Sequence, residues 1–98
     1  MINHSEQIQE TLDTLLVDST AAFLVLHNDD VNTFDFVIQC LVNICKHDEL
    51  QAEQCALLVH YTGKAVVKTG DIEKLLPMKT ALTDRGLSAT LEFEKEKK

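Results

Sequence analysis

Only three stretches of this chain have the length and composition of β-strands, and all are short: residues 21–26 (AAFLVL), 65–67 (AVV) and 87–93 (LSATLEF). Three short strands cannot build a sandwich or a doubly wound sheet, so helices between them must supply the rest of the core. The first run is stopped by the polar turn His27, Asn28, Asp29, Asp30, and the last alternates apolar and polar residues like a half-buried strand.

Helical signals fill the gaps. Asn32 can cap free backbone N–H groups, with Asp35 three residues on completing a capping-box-like pair. From Phe34, the residues Val37, Ile38, Leu41, Ile44 and Cys45 keep helical spacing to about Lys46. A second helix starts with Asp48 as cap and Gln51 three residues later, runs along Ala52, Cys55, Ala56 and Val59, and stops at a left-handed Gly63. Gly70 and Asp71 turn the chain. Ile72, Leu75, Leu76, Lys79 and Leu82 trace a third helix, in which Pro77 removes a hydrogen bond and is expected to introduce a kink. Gly86 ends it. The expected order is β-α-α-β-α-β: an α+β two-layer domain, a three-stranded antiparallel sheet with three helices packed on one face.

At 98 residues the chain is one small domain, and 45% hydrophobic with 26% charged residues is the composition of an ordinary soluble protein. A formal net charge of -7 disfavours nucleic acid, whose phosphates need a basic surface, and tolerates cationic ligands instead. No apolar run approaches a membrane span, and the start has neither the basic nor the apolar region of a secretory signal. Cys40, Cys45 and Cys55 lie in helical patterns without CxxC spacing and read as reduced core thiols of a cytoplasmic protein. Residues 1–18 are mostly polar, with Ile8, Leu12, Leu15 and Leu16 at helix-like spacing. They form either a frayed, flexible extension or an arm that docks on a partner or on its own domain. The core domain is expected over 19–94, with 95–98 a solvated tail.

Chemistry concentrates at two places. Leu26-His27-Asn28-Asp29-Asp30-Val31-Asn32-Thr33-Phe34 sets an amide and two acids between an apolar run and a helix start, and Val59-His60-Tyr61-Thr62-Gly63-Lys64 puts a histidine at a helix end. Acids and amides are common in such turns, and a histidine at a helix C-terminus is favoured by the macrodipole, so each has a purely structural explanation. A calcium loop fails: its sixth position would be Asp35 rather than Gly, and its twelfth Leu41. His4, His27, His47 and His60 lack zinc-ligand spacing, and no motif activates a cysteine beside His60, so an enzyme is disfavoured and no metal or cofactor is expected. Phe34, Val37, Ala56 and Val59 flank the polar groups and either belong to the core or border an opening.

These residues resemble the ClpS adaptor family in Leu26-His27-Asn28-Asp29-Asp30, in the following helix with Phe36-Val37, and in Val59-His60-Tyr61-Thr62-Gly63-Lys64. The resemblance covers roughly residues 20–93, and the pairing of the two distant motifs makes it specific. It implies a small α+β adaptor that binds N-terminal degradation signals and delivers their bearers to a Clp-type AAA+ unfoldase, ClpA- or ClpC-like, and its peptidase. By position, Asn28, Asp29 and His60 match the holders of the substrate's α-amino group, Asp29 in part through water. Leu26, Asn32, Phe34, Val37, Ala56, Val59 and Leu87 match or lie near the pocket for the first side chain. Asn32 stands where the family usually has Thr, Thr33 where it has Pro, and Phe34 where a Met gates side-chain shape. Lys79 sits beside the position of a partner-facing lysine and is the expected docking residue. The alternative is a ClpS-fold interaction module without an N-terminus pocket.

Overall fold

The computed structural model describes residues 21–93, so the expectations for 1–18 and for the final tail lie outside the described residues. Its elements are β1 (Ala22–His27), α1 (Phe34–Ile44), α2 (Glu49–Thr62), β2 (Lys64–Gly70), α3 (Ile72–Asp84) and β3 (Ser88–Phe93). The sheet order is β2-β1-β3, with β1 antiparallel to both neighbours. The apolar first strand is therefore central, where a continuous apolar run is best covered. The β1–β2 ladder slips between Leu24 and Val25, a bulge or irregularity that leaves His27 opposite Lys64 at one end and Ala22 opposite Gly70 at the other.

Side-chain alternation decides which face of the sheet is covered. Ala22, Leu24 and Leu26 of β1, Ala65 and Val67 of β2 and Ala89 of β3 all enter the core. Cys40, Leu41, Ala52, Val59, Leu75 and Leu82 meet them from the three helices. This is the expected two-layer α+β arrangement.

Helix ends follow local chemistry, with two corrections. Asp48 caps α2, accepting from Gln51 N–H at 2.7 Å, and Gly63 closes it at φ 95°, as expected. At α1, however, the cap is Thr33, whose Oγ1 accepts from Phe36 N–H at 3.1 Å; Asn32 lies outside the helix and Asp35 forms no capping box. The carboxamide of Asn32 is engaged elsewhere, and the neighbouring hydroxyl takes its place. The helix ends at Ile44 rather than Lys46, because Lys46 adopts φ 62° and turns the chain. Pro77 does not break α3, which runs unbroken through it. The carbonyl it deprives, that of Glu73, belongs to an exposed residue that solvent can serve.

The end of α3 is a Schellman turn. Gly86 at φ 90° donates to the Thr83 carbonyl at 2.9 Å, and Leu87 N–H to the Leu82 carbonyl at 3.1 Å. Leu82 and Leu87 are both buried in the core cluster, so one motif ends the helix and leads into β3. Among the described residues one polar side chain is buried: His47, 3% exposed, donates from Nε2 to the Val67 carbonyl at 2.7 Å. Its Nδ1 has no partner among the described residues.

Candidate functional site: a cavity between the β1–α1 loop and the end of α2

The loop after β1 is organised by one carboxylate. Asp29 Oδ1 accepts from the backbone N–H groups of Val31 and Asn32, both at 2.8 Å, and Oδ2 accepts from Asn32 Nδ2 at 3.0 Å. This is the usual reason an aspartate sits at the start of such a turn: it satisfies donors the helix cannot reach. Burial pushes the Asp29 carboxyl upward, but the hydrogen bonds from Asn32 N–H, the Asn32 carboxamide and Val31 N–H outweigh it and hold the group below the ordinary aspartate range. The site thus carries a fixed negative charge.

A second bond joins this loop to α2. Asn28 N–H donates to the Gly63 carbonyl at 2.9 Å, directly beside the His27–Lys64 pair of the β1–β2 ladder. The left-handed turn at Gly63 is what aims that carbonyl back at the loop. The loop and the last turn of α2, which carries His60, are thereby held side by side. His60 is exposed, with its ring edge-on to Tyr61 at 5.1 Å between centroids.

Between them lies a cavity of about 500 Å³, within the size range of small-ligand sites. Its wall includes Asn28, Asp29 and His60 together with Leu26, Asn32, Phe34, Val37, Ala56, Val59 and Leu87. The residues named from the sequence for the amine and for the first side chain are therefore brought to one hollow. Lys79 is not; it lies on α3, away from the cavity wall. Ala56 and Val59 are nearly inaccessible, whereas Phe34, at the first position of α1, is 40% exposed at the edge.

Among the described residues, no lysine or arginine lines the cavity. Its polar side chains are acceptors or can act as acceptors: the carboxylates of Asp29 and Asp30, the carboxamide oxygens of Asn28 and Asn32, and the imidazoles of His27 and His60. The rest is aliphatic or aromatic. Such a surface suits a small cation joined to an apolar group. None of Cys40, Cys45 and Cys55 lines the cavity, so it does not pair a thiol with His60. Burial also raises all three thiols, Cys45 to about 11, despite the opposing influence of Lys68 there.

His27, Asp30 and Leu57 also line the cavity without having been assigned to the pocket from the sequence. Leu57 was findable, since it lies one residue from Ala56 and three from His60 on the same helix. His27 ends β1, with Nε2 2.8 Å from Thr90 Oγ1, a cross-sheet partner that no local pattern announces. The bond from Asn32 Nδ2 to the Gly86 carbonyl, 2.9 Å, was equally invisible, since 54 residues separate the two.

Residues 18–90 match the family model described as "ATP-dependent Clp protease adaptor protein ClpS". The chain is similar to the ATP-dependent Clp protease adapter proteins ClpS of Shewanella halifaxensis and Shewanella pealeana, at 36% and 34% identity over 61 residues. In each case the match covers 62% of this chain, which spans 60% of the length of the relative. It is also similar to the solved structure of Agrobacterium tumefaciens ClpS2 bound to L-phenylalaninamide. That likeness has a TM-score of 0.72 at 25% identity, over 76% of this chain and 96% of the other. With the β-α-α-β-α-β order and the matched segment spanning most of its length, the chain belongs to the ClpS family.

Proposed function

We propose that this protein is a cytoplasmic adaptor that recognises a free N-terminus bearing a bulky hydrophobic first residue and delivers the bearer to a Clp-type AAA+ unfoldase, ClpA- or ClpC-like. The observation that carries the reading is the single cavity shared by Asn28, Asp29 and His60 and by the apolar side chains of α1, α2, β1 and Leu87. L-Phenylalaninamide, the ligand of the Agrobacterium relative, has the three parts of a chain start: an α-amine, a large apolar side chain and a carboxamide.

In this reading the charged amine donates to Asn28, Asp29 and His60 while the first side chain enters between Val37, Ala56, Val59 and Leu87. Each charge-assisted hydrogen bond contributes about 1.5–3 kcal/mol, and burial of a Leu or Phe side chain a similar amount. After the cost of ordering the peptide, a total of roughly 8 kcal/mol corresponds to micromolar affinity, suited to an adaptor that must release its cargo. His60 accepts only through an unprotonated nitrogen, so protonation of the ring opposes binding. An internal peptide or a blocked amine leaves the acceptors unsatisfied, which is the source of selectivity for chain starts. Phe34, bulkier and stiffer than a methionine at the same place, narrows the choice of first residue. Lys79, on the surface helix α3, is the proposed contact to the unfoldase.

The test is a binding screen of short peptides that differ only at the first residue. Micromolar binding to Phe-, Leu-, Tyr- or Trp-initiated peptides, and none to Gly- or Asp-initiated ones, is the expected pattern. Absence of binding across the whole bulky set would leave a ClpS-fold interaction module without a pocket function.

A further inference from the structure

Asn32, on the cavity wall, bridges the Asp29 carboxylate and the turn at Gly86 that precedes Leu87. Its Nδ2 lies 3.0 Å from Asp29 Oδ2 and 2.9 Å from the Gly86 carbonyl oxygen. A primary amide has two hydrogens on that nitrogen, so both donors are committed and the plane of the carboxamide is set. One end of the bridge is the carboxylate that organises the β1–α1 loop. The other end is the residue directly before Leu87, the apolar wall residue just ahead of β3.

Neither end is free to move independently. Asp29 Oδ1 is already saturated by two backbone N–H groups, and Gly86 sits in a left-handed turn whose own N–H is bonded to Thr83. The carboxamide therefore links two locally rigid pieces rather than two loose ones, and its length sets the gap between them. We propose that Asn32 is a positioning residue that sets the width of the pocket, tying the Asp29 carboxylate to the turn that presents Leu87, so that the protein discriminates among bulky first residues by size. This rests on the reading of the cavity as a site for free N-termini. It adds which residue governs the choice within the bulky set.

The experiment uses the full chain, as wild type and as Asn32→Leu and Asn32→Ala. Leucine keeps the branched shape of asparagine and removes both donors; alanine removes shape and donors together. Affinities are measured for free-amine peptides beginning with Leu, Phe and Trp. In parallel, the Asp29 carboxyl is titrated by NMR in the unliganded proteins, and thermal melts report the fold. In the wild type the three affinities should differ, and in both variants their spread should narrow by roughly fivefold or more, the net scale of one lost hydrogen bond. The Asp29 midpoint should rise in both variants. A residue that merely lined the pocket would change all three affinities together and leave Asp29 where it was. Equal wild-type affinities, an unchanged spread in Asn32→Leu, or an unmoved Asp29 midpoint would each overturn the proposal. Should the wild type bind none of the peptides, the reading of the cavity itself fails, and the proposal falls with it.

Discussion

Removal of the Asp29 side chain separates an amine site from a merely polar turn. Asp29→Ala deletes a carboxylate that accepts three hydrogen bonds from its own loop and faces the cavity. For a partly exposed carboxylate, a unit-charge pair at about 4 Å is worth about 1–4 kcal/mol between the limits of water and protein surface. Water-mediated contact would sit at the low end. A cost of at least about 1.4 kcal/mol, or tenfold in affinity for a Phe-initiated peptide, is therefore expected. The core cluster does not include Asp29, so the melting transition should remain cooperative. Fluorescence anisotropy with a dye at the far end of the peptide reads the loss directly. Asp29→Asn keeps much of the shape without the charge and should lose nearly as much. Affinity within about twofold of wild type for both variants, the range of an ordinary surface substitution, would refute the electrostatic part of the account.

The remaining predictions address the other parts of the site and the fold. His60→Ala should lower affinity for the same peptide by about tenfold with an unchanged circular dichroism spectrum, since a lost bond to a charged partner is of that size; normal binding would remove His60 from the site. Leu82→Ala empties a fully buried position under the Schellman turn and should cost about 2–5 kcal/mol in chemical denaturation, with a smaller loss pointing to collapse of the surroundings. Cys45, raised to about 11 by burial, disfavours the thiolate in the folded state. Its contribution is intact below the unfolded thiol range and is lost as pH rises through that range toward 11, a decline of roughly 3 kcal/mol that Cys45→Ser or Cys45→Ala should suppress in alkaline melts.

Much of this architecture is legible in the chain because local and global signals agree. The apolar run of β1, the Asp48 cap and the left-handed Gly63 each name their own element. Where the signals fail, a distant partner decides. Asn32 and Thr33 are adjacent and both make good caps; Thr33 caps, and the Asn32 carboxamide is instead oriented by its two Nδ2 donations, to Asp29 and to Gly86. His47, between two helices, reads as a loop residue, yet it is buried by its bond to Val67 on β2. Pro77 removes a bond from α3, yet the helix continues through it, on an exposed turn. The cavity is a different case. Ala56 and Val59 have the burial of core residues, and only their pairing with the Asn28 and His60 motifs marks them as cavity wall as well.

The central claim is that the loop after β1 and the tail of α2 together hold a charged chain start. Calorimetric titration of a Phe-initiated peptide and its N-acetylated twin tests it most directly. Micromolar binding of the free peptide and no measurable heat from the acetylated one is the predicted outcome. Matching affinities for the two would contradict it, because the cavity would then be reading the side chain without the amine.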